Sequence, residues 1–169
     1  MARVRPWTDG DPIEPGLLAA ILKRRNGQLN PLDRLLMRSE PLAAGWNTLL
    51  GQIRGNFALP IEYRELIMCR VAMLNGAEFE WDAHLPIYLS AGGTDAKADA
   101  LRLPGIADIF DAKESALIAL TDQSTRGVQV EAGVIDTLKS QFGEVQAVEA
   151  VATVAAYNMV SRFLVALGI

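Results

Sequence analysis

Pro60-Ile-Glu-Tyr-Arg-Glu-Leu-Ile-Met-Cys-Arg-Val-Ala-Met-Leu-Asn-Gly76, followed directly by Ala77-Glu-Phe-Glu-Trp-Asp-Ala-His84, decides the fold class. The first segment opens on proline, carries acids in its first turn and ends on Asn-Gly, which suits the helix dipole and a left-handed cap. It predicts a helix over 60–76. In the second segment, reading by threes and fours places Ala77, Glu80, Trp81, His84, Ile87, Tyr88 and Ala91 on one face, an apolar stripe with an acid and an imidazole set into it. This predicts a second helix running to about Ala91 and closed by Gly92-Gly93. Pro86 should bend it, because proline removes one backbone bond and leaves the carbonyl of Asp82 without its usual donor.

The same punctuation recurs outward from this stretch. Helices are expected over Pro15 to Gly27, Pro31 to Arg38 and Pro41 to Ile53, each opened by proline. Thr94 caps a helix to Leu101, Leu103-Pro-Gly is a turn, and Asp111 to Gln123, Glu131 to Phe142 and Glu144 to Leu167 complete the series. No alternating run of β-branched residues competes with them. The reading is an all-α, compact multi-helix domain spanning 1–169, with 1–14 as an N-terminal arm.

A length of 169 residues, 50% hydrophobic and 21% charged, supports one domain with its own core. The net charge of -4 and pI near 5.0 offer no basic field for phosphates, so neither nucleic acid nor an acidic membrane is an expected partner. The N-terminus lacks the apolar centre of a signal peptide, and Cys69 is the single cysteine, so the simplest expectation is a cytoplasmic protein without a disulfide framework. The apolar segment from Val145 to Ile169 is interrupted by Glu149, Asn158 and Arg162 and reads as a buried core helix. One histidine and one cysteine cannot build a usual zinc site, and neither Gly-x-Gly-x-x-Gly nor Gly-x-Ser-x-Gly occurs.

Chemistry therefore rests on few residues. Glu80 and His84 are four apart and stack on one helix face, either as a satisfied structural pair or as an acid–base pair. Glu65, in the preceding helix, would be a solvated first-turn acid on position alone, and Cys69 beside it a small core residue. In the last helix Tyr157, Ser161 and Arg162 interrupt an Ala/Val-rich run; Arg162 either snorkels or faces an anionic ligand.

Taken together, Glu65-Leu-Ile-Met-Cys-Arg-Val-Ala-Met-Leu-Asn-Gly-Ala-Glu-Phe-Glu-Trp-Asp-Ala-His84 followed by Ala91-Gly-Gly resembles the signature of the carboxymuconolactone decarboxylase family, which includes the alkylhydroperoxidase D-like proteins. Ala155-Ala-Tyr-Asn-Met-Val-Ser-Arg162-Phe-Leu is similar to the closing helix of its longer members. The resemblance implies an all-helical fold that assembles into homo-oligomers. In the peroxidase branch a Cys-x-x-Cys-x-x-x-His motif works with an upstream glutamate; here the thiol positions fall on Ala77 and Glu80, and the glutamate and histidine positions on Glu65 and His84. Thiolate chemistry needs the thiols, so the resemblance points to the decarboxylase branch, which keeps Glu-x-x-x-His. That branch implies a cofactor-free lyase of aromatic catabolism acting on a small anionic, carboxylated and lactone-like substrate. His84 would donate the proton, Glu80 and Glu65 would serve it, and Trp81, Arg162, Arg70 and Tyr157 would contact substrate. Two other readings are a non-catalytic helical oligomer using Glu80 and His84 as a buried pair, and an atypical antioxidant protein working through Cys69.

Overall fold

The computed structural model describes residues 2–169, and among these the regular structure is eight helices with no strand. They are α1 (Pro15–Arg24), α2 (Pro31–Leu36), α3 (Glu40–Gly55), α4 (Ile61–Asn75), α5 (Glu78–Ser90), α6 (Asp95–Leu101), α7 (Ala112–Gly127) and α8 (Ala132–Leu167). The centre is α4, where every residue from Arg64 to Ala72 is buried. A helix hidden on all sides must be covered by several neighbours, and α5, α7 and α8 all pack on it. Gly76 closes α4 with φ of 64°, the left-handed cap that Asn-Gly foretold.

Local signals explain most boundaries. Glu14 caps α1 through two backbone amides; Asn30 with Asp33, and Asp111 with Glu114, form reciprocal capping boxes on α2 and α7. Helix α7 runs a turn beyond the expected Gln123, because Thr125 is buried and receives a hydrogen bond of 2.9 Å from Asn158 of α8. The two expected helices after Glu131 form one long element interrupted at Gly143, whose φ of 77° and ψ of 169° leave the helical region. That backbone region is open essentially to glycine alone. Helix α8 is long and apolar enough by composition to cross a membrane, and half of its most apolar window is buried in the fold. Helix α5 runs through Pro86 without interruption.

Residues 2–14 carry no helix but lie against the helices: Trp7 is buried, its amide bonds the carbonyl of Arg34, and the Arg34 guanidinium sits 5.6 Å from its ring. Arg3 likewise donates to the carbonyl of Leu167 at the far end of the chain.

Candidate functional site

Helices α4 and α5 pack closely, and their shared face brings Glu65 to His84, 19 positions on in sequence. The Nδ1 of His84 lies 2.6 Å from Oε2 of Glu65, and both residues are about 5% exposed. On the other side of the ring, Nε2 is 3.3 Å from Oε2 of Glu80. That contact lacks hydrogen-bond alignment, so the buried Oε2 of Glu80 has no hydrogen-bond partner among the described residues. The order of the two acids differs from the reading by helical spacing, which made Glu80 the first partner. Glu65 is a buried ligand of the imidazole rather than a solvated first-turn acid, because α5 covers the face of α4 on which it stands.

Burial is the largest influence on His84 and favours the neutral ring. The contacts with Glu65 and then Glu80, together with the charges of both acids, outweigh it and hold the pKa above its ordinary value of 6.5. In the protonated ring Nδ1–H is bonded to Glu65, while Nε2–H lies close to Glu80 without a bond to it.

The ring of Tyr157, fully buried in α8, stands edge-on to His84 with centroids 5.1 Å apart. Its Oη accepts a hydrogen bond of 2.8 Å from Nε of Arg54 at the end of α3. Burial, its largest influence, pushes the Tyr157 phenol well above its ordinary range despite the opposing Arg54 charge, so it stays protonated. Arg54, Glu65, Glu80 and His84 line a cavity of about 280 Å³, whereas Tyr157, an expected substrate contact, packs against Arg54 and His84 without lining it. Phe79, Ala83 and Ile87 supply the cavity's apolar side. Ile87, placed on the buried stripe by its spacing, is instead 38% exposed, because it stands at the open rim of this cavity rather than against the core.

Three expected contacts lie elsewhere. Arg70 faces α7 and the loop before it: Nε and Nη2 donate to both oxygens of Asp122 at 2.6 Å, and Nη1 donates to the carbonyls of Leu101 and Leu103. Its donors are committed to the fold. Arg162 is exposed on α8 and does not border the cavity, and Trp81 is a core residue with the Arg102 guanidinium 4.1 Å from its ring. The cationic group that sequence reasoning missed is Arg54, whose partner Tyr157 is 103 residues away, a separation that no local pattern reveals. Cys69 is fully buried, and desolvation pushes its thiol up to about 12. Little thiolate exists there at neutral pH, which removes the physical basis for peroxide chemistry through this residue. Among the described residues no group of three or more His, Cys, Asp or Glu side chains is arranged to hold a metal ion.

The class of protein is an all-helical domain with an imidazole held between two acids. Residues 40–123 match the carboxymuconolactone decarboxylase family, and the chain belongs to that family. Solved structures of the alkylhydroperoxidase D-like type share the fold. A peroxidase-related protein from Silicibacter sp. TM1040 superposes with a TM-score of 0.81 at 16% identity, over 100% of this chain and 94% of that one. A cysteine-to-alanine variant of the debrominase Bmp8, in complex with 2,3,4-tribromopyrrole, gives 0.80 at 18% identity, over 99% and 91%. A protein of unknown function from Agrobacterium tumefaciens, associated with AhpD antioxidant defence, gives 0.70 at 19% identity, over 77% and 90%. No curated protein matches the chain.

Proposed function

We propose that this protein is a cofactor-free lyase that removes carbon dioxide from a small carboxylated, lactone-like anion by general acid catalysis at His84. The observation that carries this reading is the setting of His84: its ring is braced by Glu65 and Glu80 at the wall of a cavity of about 280 Å³, where a purely structural pair would be enclosed by packed side chains. When the bond between the departing carboxylate and its carbon breaks, the electron pair passes into the substrate's conjugated carbonyl, so no organic cofactor is required. The proton that then goes to carbon comes from Nε2 of His84, since Nδ1 is engaged by Glu65. Solvent restores it, and the net change is one carboxylate and one proton converted to a C–H bond and carbon dioxide.

Each acid has its own part in this scheme. Glu65 fixes the ring and favours its protonated form, as the raised pKa of His84 requires. Glu80 keeps an unbonded oxygen beside Nε2 and supports the charge without tying up the proton. The family membership supports a reaction of this type. Carbon dioxide release from carboxylated γ-lactones, followed with purified protein, tests the proposal. His84→Gln is expected to lower kcat/KM by about 10²- to 10⁴-fold, the usual contribution of a general acid. A variant that keeps full turnover would refute the assignment.

A further inference from the structure

We propose that a second pocket, formed where the start of α4, the end of α5, α6 and the start of α7 meet, is a binding site for a small primary ammonium ion. It stands apart from the lyase reading, since its walls share no residue with the cavity at His84.

Helix α4 supplies Glu62 and Tyr63 from its first turn, and α7 supplies Asp111 and Glu114 from its capping box. The space they border together with α5 is about 170 Å³. Lys97 of α6 donates to both oxygens of Glu114, at 2.7 and 2.8 Å, and is the only cation on this wall among the described residues. That pair is balanced. Asp111 spends Oδ1 on the amide of Glu114 at 2.9 Å, while its Oδ2 accepts no hydrogen bond, and neither Asp111 nor Glu62 has a cationic partner among the described residues. Two carboxylates are therefore in excess around one small space. Tyr63 registers their convergence: its phenol is pushed up first by burial and then by the charges of Glu62, Asp111 and Glu114.

The second observation is Tyr88 of α5. It is 1% exposed, it belongs to the wall of the pocket, and its hydroxyl has no hydrogen-bond partner among the described residues. Leaving a buried hydroxyl unpaired is costly, so a ligand that supplies the missing partner gains by it. Gly93 holds the ring in place, because a Cβ there would stand 2.6 Å from it and only glycine lets the backbone lie so close. Burial and then the charge of Glu114 push the Tyr88 phenol upward, so the hydroxyl keeps its proton and lies in the field of the same acids.

These groups ask for positive charge carried on several N–H donors. The free oxygens of Asp111 and Glu62 and the hydroxyl oxygen of Tyr88 all accept, and the tyrosine rings add attraction for a cation. A metal ion would need the acids gathered at one point, and no group of three is so arranged among the described residues. Size sets the rest: a cavity of about 150 Å³ holds benzene, so 170 Å³ admits an amine of a few heavy atoms.

The test titrates ethylammonium chloride into the protein at constant ionic strength, with the amide resonances of Gly92 and Gly93 as local reporters and ethanol as the uncharged probe of like size. Saturable shifts are expected at millimolar ethylammonium, the range that so small a ligand can support, and none with ethanol. Tyr88→Phe keeps the ring and removes the hydroxyl; it should weaken ethylammonium about 10-fold, as loss of a hydrogen bond to a charged group does. Glu62→Gln should weaken it too. Absence of saturable shifts in the wild-type protein overturns the proposal, as does wild-type affinity in a folded Tyr88→Phe. Ethanol binding as tightly as ethylammonium would remove the role of charge, and a tighter response to magnesium chloride would make this a metal site; either result overturns the proposal as well. If Tyr88→Phe does not fold, Glu62→Gln decides: wild-type affinity in that variant overturns it.

Discussion

His84 couples the site to the stability of the whole chain. Its pKa in the folded protein is raised above the ordinary 6.5, so the protonated ring is favoured by folding. That contribution is complete below the unfolded value and is lost as pH rises through the folded one. The melting-temperature gap between wild type and His84→Gln should accordingly be widest near pH 6 and narrow steadily towards pH 9; a gap that widens with pH would reverse the sign of the coupling. Cys69 makes the opposite case. With its thiol pushed up to about 12 and no second cysteine in the chain, the protein should show no dithiol-dependent peroxide turnover, and Cys69→Ser should leave the lyase assay unaffected.

At the level of elements, Arg70 of α4 ties down the chain between α6 and α7 through Asp122 and three backbone carbonyls. Arg70→Ala leaves that acid and those carbonyls without their donor. Chemical denaturation should register a loss of about 3–5 kcal/mol, the usual cost of removing one partner from a buried pair; a loss under about 1 kcal/mol would mean that water replaces the guanidinium at little cost. Arg70 and Arg54 also show where sequence reading stops. The helices were legible because the prolines, the capping Thr94 and the Asn-Gly ending at Gly76 each act within a few residues of where they stand. Glu80 and His84 were legible together for the same reason, being one turn apart. Two arginines in helical runs look alike on paper; which one is consumed by the fold and which borders the cavity is set by Asp122, 52 residues from Arg70, and Tyr157, 103 residues from Arg54. The burial of Glu65 was likewise invisible to position alone, since it depends on how α5 lies across α4, and only the resemblance pointed to it.

At the scale of the whole molecule, α8 leaves an apolar strip uncovered: Val148 is 68% exposed, and Val151, Met159 and Val165 are each about 40% exposed. Apolar strips of this kind commonly become covered by association. We expect light scattering at micromolar concentration to give a mass above that of one 18.3 kDa chain, and an Val148→Lys, Val151→Lys double variant to shift it downward; a wild-type monomer would refute the expectation. The break at Gly143 has its own consequence. Before it, α8 buries only Leu138 completely, whereas after it the helix buries Ala147, Ala150, Val154, Tyr157 and Val160 against the core. We expect Gly143 to act as a cooperativity fuse, the less buried arm before it opening ahead of the helix that carries Tyr157. Amide protons of residues 136–141 should exchange with solvent deuterium well ahead of those of residues 154–160, so that thermal agitation at the end of the bundle dissipates before it reaches the imidazole.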